Sequence, residues 1–135
     1  MHDGPAYTAE THGILVKVRP SYLAGQSDPD GGRWVWAYQI EIVNLSGVTV
    51  QLMARRWIIT DAHGHVEEVR GPGVVGEQPV IAPGESYSYA SGCPLSTDSG
   101  SMVGAYYLTD DKGRTFETAI PAFSLDTPDA RRVLN

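Results

Sequence analysis

A chain of 135 residues is long enough for one domain with a core of useful size. An apolar share of 41% is that of a folded protein and excludes a disordered one. A net charge of −6 argues against a general nucleic-acid surface, and no run of like charges is long enough to make a binding tail.

Fifteen glycines, nine prolines and short apolar runs favour strands and turns over helices. The N-terminus, Met1-His2-Asp3-Gly4-Pro5, has no basic segment followed by an apolar one. Neither a signal peptide nor a bilayer-spanning stretch is expected, and the cytoplasm is the expected compartment. Met1 to Glu10 reads as a flexible lead-in.

Ile14, Val16 and Val18 alternate with Lys17 and Arg19, the pattern of a half-buried strand, and Pro20 suits an edge position. Ala24 to Gly32 is a loop with a turn at Asp28-Pro29-Asp30-Gly31. Its two aspartates lack the further ligands of a calcium loop. Arg33 to Leu45 is the clearest strand, with Trp34, Trp36, Tyr38, Ile40 and Ile42 facing inward.

A reversal at Asn44–Gly47 leads to Val48–Leu52, whose even positions face inward, whereas at Trp57 and Ile59 the odd positions do. A period of two changes phase only through an inserted residue, so a bulge or bend is expected near Ala54-Arg55-Arg56. Asp61 to His65 is a hairpin turn; His63 and His65 lack an identifiable third ligand, so no metal is assigned.

Gly71, Gly73 and Gly76 form a G-x-G-x-x-G string. A dinucleotide site needs a helix straight after such a string, its N-terminus facing the pyrophosphate. Pro79, Pro83 and Gly84 forbid one. The string is therefore a structural loop, with a nest of backbone amides for an anion as the alternative and Arg55, Arg56 or Arg70 nearby.

Ser86 to Gly92 alternates, with Tyr87 and Tyr89 on one side. Cys93, the lone cysteine, falls in a polar loop before Pro94 and reads as a bland thiol. Met102 to Thr109 is a strand in which Gly104 suggests close packing or a bulge. Asp110 to Gly113 closes a hairpin with Arg114 to Ile120, and Pro121 to Leu125 ends the sheet. Asp126 to Asn135 is a polar tail whose 129–134 part suits a helical turn.

Seven to eight short strands without a long helix give an all-β, antiparallel β-sandwich of immunoglobulin or fibronectin type III kind. The division is a lead-in at 1–10, a sandwich domain at 11–126 and a tail at 127–135. No catalytic constellation is found: there is no G-x-S-x-G elbow, and no histidine is placed for a triad.

Ser27-Asp28-Pro29 before Trp36-Ala37-Tyr38, Trp57-Ile58-Ile59-Thr60-Asp61, the run from Gly71 to Gly92, Met102 with Gly104 and Tyr106, and Ile120-Pro121-Ala122-Phe123 together resemble the ApaG family. The resemblance covers roughly Ile14 to Pro128. It implies a fibronectin-type-III-like sandwich in a bacterial cytoplasmic protein, with no established reaction and no cofactor. The family name is linked to cobalt resistance and magnesium efflux, and related domains sit in F-box proteins and a polymerase-interacting protein.

That context implies a non-enzymatic protein-binding module. The partner is unknown; nucleic acid and membrane are not expected, and an exposed edge strand leaves a homodimer open. The candidate partner or ligand loop is Gly71, Gly73 and Gly76 with Arg55, Arg56 and Arg70. The alternatives are pyrophosphate or nucleotide binding at that loop, and a role in Co²⁺/Mg²⁺ homeostasis, direct or indirect.

Overall fold

Alternating apolar side chains build two antiparallel sheets that bury their apolar faces against each other. The computed structural model describes residues 6–128. Along them run β1 (Tyr7–Thr11), β2 (Ile14–Tyr22), β3 (Trp34–Asn44), β4 (Val50–Asp61), β5 (Val66–Pro72), β6 (Val80–Ile81), β7 (Ser86–Leu95), β8 (Gly100–Asp110) and β9 (Thr115–Leu125). One sheet has the order β1-β2-β3-β7. The other has the order β5-β4-β8-β9, with β6 also paired to β4. The chain is thus an antiparallel β-sandwich, as its alternation predicts.

The inner faces supply the core. Ile14, Val16 and Val18 of β2 are buried, as are Trp36, Tyr38, Ile40 and Ile42 of β3. Trp57, Tyr106, Leu108, Ile120 and Phe123 meet them from the other sheet. Tyr38, Trp57 and Phe123 pack as tilted and edge-to-face rings, centroids 5.3 to 6.0 Å apart. Such pairs add to the area that they bury.

Two irregularities set the phase. The register between β4 and β8 shifts between Leu52 and Ala54, so Met53 is the inserted residue. Val50 and Leu52 lie inward before it and Trp57 after it. The bulge falls one residue ahead of the expected stretch. The second shift lies opposite Val103, where Pro121 and Ala122 occupy the bulged part of β9. Gly104 beside it approaches β4 so closely that a Cβ would lie 2.2 Å from the Arg56 carbonyl oxygen.

Four expectations need correction. Residues 7–10 belong to β1, which pairs with β2 from Tyr7↔Val18 to Thr11↔Ile14. Its side chains are mostly exposed, so no apolar alternation marks the strand. Cys93 lies in β7, not a loop, opposite Trp36, with 4% exposure. Pro20 lies on an inner strand, but at a point where β1 has already ended at its partner Val18, so the missing amide leaves no bond unmade. The tail begins inside the fold: Trp36 Nε1 donates to the Asp126 carbonyl at 2.9 Å, and Thr127 is buried. The helical turn expected at 129–134, like residues 1–5, lies outside the described residues.

Polar side chains hold the loops. Ser27 Oγ donates to the Leu23 carbonyl at 2.8 Å and accepts from the Val35 amide at 2.9 Å. Buried Asn44 donates to the carbonyls of Val48 and Ile81 and accepts from the Ser46 amide and hydroxyl. Every polar group of that amide is matched, which removes the cost of burying it.

Candidate functional site

The glycine string closes β5 and turns the chain toward β6. Gly71 lies in β5 opposite Arg55, where a Cβ would stand 2.9 Å from Arg55 Nη1. Gly73, at φ +56°, passes so near Glu77 that a Cβ would lie 2.0 Å from its carbonyl oxygen. Glycine is required at Gly73, where the neighbour is backbone, whereas at Gly71 it leaves room for the tip of the flexible Arg55 side chain.

Three amides of this loop have backbone partners. Gly73 N–H donates to the Met53 carbonyl at 2.8 Å. Val74 and Glu77 exchange bonds of 2.8 and 2.9 Å around the two-residue turn Val75-Gly76. Both turn residues have positive φ, +48° and +81°. That is the backbone of a tight hairpin turn, which normally takes Asn-Gly. No helix starts at Gly76, in keeping with the proline argument. Three amides of the loop are thus spent on carbonyls and are not offered to an anion.

The three arginines divide between faces. Because Met53 shifts the phase, Arg55 faces inward with Trp57 and sits opposite Tyr106. Its Nη1 donates to the carbonyls of Pro72 and Gly73, both at 3.0 Å. Among the described residues no carboxylate lies within 4.0 Å of it. Arg56 and Arg70 are paired across β4 and β5 on the outer face, where each donates through Nε to Glu68 Oε2 at 2.6 Å. Hydrogen bonds from Arg56, then from Arg70, hold the Glu68 carboxyl below its ordinary range. The six candidate residues therefore do not converge. Arg55 and the glycines share one environment, and Arg56 and Arg70 another.

Arg55 lies beside a cluster of phenols from both sheets. The hydroxyls of Tyr89 and Tyr106 are hydrogen-bonded to each other at 2.5 Å. Burial pushes both well above the ordinary phenol value, and Tyr38 in the same direction. Arg55 acts against the shift at all three. The alternation of β7 puts Tyr87 and Tyr89 at the core edge, but it gives neither the bond between Tyr89 and Tyr106 nor the inward turn of Arg55. The inward turn follows from a bulge at Met53, one residue ahead of the expected stretch Ala54-Arg55-Arg56.

The remaining chemical groups are tied up locally. Burial, aided by Glu67, pushes the Cys93 thiol up to about 11, so it carries little thiolate at neutral pH. His63 and His65 flank a turn held by Asp61, whose Oδ1 accepts both of their amides. No group of three metal-ligating side chains forms among the described residues. Nor is any helix among them long and apolar enough to cross a membrane.

An ApaG domain family model matches residues 24–110. The protein ApaG of Brucella canis is 60% identical over 129 residues, which is 96% of this chain and 99% of that one. The chain belongs to the ApaG family. ApaG of Allorhizobium ampelinum is similar to the same degree. In solved structures, the ApaA protein of Bordetella pertussis superposes with a TM-score of 0.83 at 42% identity, covering 93% of this chain and 98% of its own. The C-terminal domain of wzt shares the ApaG sandwich with a TM-score of 0.54 at 12% identity, a likeness of fold alone.

Proposed function

We propose that this ApaG domain is a non-enzymatic module that binds another protein. The observation that carries the reading is the asymmetry of the sandwich edges. On one side β1 and β2 pack on β9, and the Ala119 amide donates to Thr11 Oγ1 across the sheets at 3.1 Å. On the other side β7 ends its sheet, no other strand of the described residues lies beside it, and its ten residues carry no charge. Natural edge strands are normally guarded by charge, proline or a cover; the one proline of β7, Pro94, stands near its end, so the stretch 86–93 is left open to a partner's backbone.

The pyrophosphate reading has less support, because the amides of Gly73, Val74 and Glu77 already serve carbonyls. Two measurements test the proposal together. The immobilised folded chain is expected to retain a specific protein from a cell extract, one that heat-denatured chain does not retain. Amide shifts of residues 71–76 are expected to stay fixed under millimolar pyrophosphate or ATP. Movement there, with no protein captured, would overturn the proposal in favour of an anion site.

A further inference from the structure

Hydrogen-bond alternation shows which backbone groups the β7 edge offers. At its start Gly84, at φ +82°, donates to the Asn44 carbonyl at 2.7 Å, and the Asn44 amide donates to Glu85 at 2.9 Å. This glycine bulge sets the ladder. Since bonded pairs recur every second residue, the odd residues of β7 bond to β3. The amides and carbonyls of Ser86, Ser88, Ala90 and Gly92 therefore point to the open side. Pro94 has the same parity, so it loses no ladder bond.

The opposite edge is closed to pairing. In β5 the bonds Asp61 N–H to His65 and Gly73 N–H to Met53 fix the odd residues as the bonded ones. Its outward positions are Val66, Glu68, Arg70 and Pro72. They hold an ion pair and a proline, the ordinary guards.

Among the described residues no strand covers the gap between these two edges. The inner positions of β5 are Glu67, Val69 and Gly71, of which Glu67 is exposed and the other two are only half-buried. Inner positions of the central strands β3 and β8 are almost all fully covered. At the Glu67 end an open cleft of about 160 Å³ separates Ile59, Val66 and Glu67 on one sheet from Pro94 and Leu95 on the other. A strand added beside β7 would lie about 4.8 Å beyond it, above this uncovered face.

The charges along that face are ordered. Arg55, opposite Gly71, has no carboxylate within 4.0 Å among the described residues, and Glu67 lies four residues along β5, roughly 13 Å away at about 3.3 Å per residue. Val69 stands between them. Four residues is two repeats of strand alternation, so one face of an incoming strand meets all three.

We infer that the β7 edge takes an extended peptide of a partner protein as an added strand, with an acidic, an apolar and a basic side chain at alternate positions meeting Arg55, Val69 and Glu67. This rests on the protein-binding reading and names the partner's chemistry.

The probe is a displayed library of linear 12-residue peptides selected on the full chain. Enriched peptides are expected to carry acidic-x-apolar-x-basic, in either direction, and to perturb the amides of Ser86, Ser88, Ala90 and Gly92. Ala90→Pro, which removes one outward amide and no bond to β3, is expected to weaken them tenfold or more. Its melting curve checks the fold. Glu67→Lys, at an exposed site, is expected to select an acidic residue in place of the basic one.

No enrichment, an unrelated pattern, or binding that survives both variants overturns the inference. So does a dimer by sedimentation that Ala90→Pro dissolves, which would make a second copy the occupant. Protection of those four amides in the free monomer would assign the place to the chain's own residues outside 6–128, and would overturn it too. A protein captured from extract equally by wild type and Ala90→Pro leaves the binding module standing while this edge falls.

Discussion

Val75 holds a φ of +48° with 61% of its surface exposed. A β-branched residue there is strained by about 1 kcal/mol or more, and burial does not offset it. Val75→Asn keeps the two-residue turn and relaxes the backbone. It should stabilise the fold by about 1 kcal/mol, roughly 4 °C in melting temperature, measured by thermal denaturation. Unchanged or lower stability would mean that the side chain makes contacts worth as much as the strain. The same residue explains a limit of sequence reading. Prolines downstream ruled out a helix after Gly76, but Val-Gly is not a turn signature, so the hairpin at Val74–Glu77 was not legible. Nor was the burial of Val74, which is fully enclosed inside what reads as a surface loop. Arg55 was legible as a candidate, but its inward direction depends on the position of a bulge, which composition does not give.

At the scale of elements, two hairpins use one device. Asp61 and Asp110 each end a strand, and each accepts two backbone amides across its turn, those of His63 and His65 or of Lys112 and Arg114. Burial pushes the Asp110 carboxyl up, but the Arg114 and Lys112 amides and the Arg114 guanidinium outweigh it, and the net shift is downward. A carboxyl lowered in the folded state stabilises above its unfolded value, near pH 4, and loses that contribution as pH falls through the lower folded value. Asp110→Asn should therefore melt below wild type at pH 7, and the gap should narrow between about pH 4 and pH 2. A gap independent of pH, in melts across that range, would show that shape and not charge matters at this turn. Most elements were legible because apolar residues keep a strict period of two, most clearly from Trp36 to Ile42. The bulge in β4 was legible as a change of phase. β1 was not, because an edge strand with exposed side chains has no period to show.

For the whole molecule, the contrast between edges sets where the fold opens. Amides of Ser86, Ser88, Ala90 and Gly92 should exchange with solvent fast, while those of Tyr87, Tyr89, Ser91 and Cys93 should be slow. Hydrogen exchange followed by NMR reads this alternation directly, and uniform protection along β7 would contradict the open edge. This asymmetry was not legible either: strand order is a product of the whole chain, and β7 reads like an ordinary strand until its neighbours are known. The bulge at Met53 has one more consequence, for how related chains can differ in length. Residues after it reach the interior only because one extra residue precedes them. Losing or gaining a single residue between Met53 and Asp61 would exchange the sides of Arg55, Trp57 and Ile59 with those of Arg56 and Ile58. Insertions and deletions should therefore gather at the tips around Gly64 and Gly113, where nothing crowds the backbone and extra chain can loop into solvent.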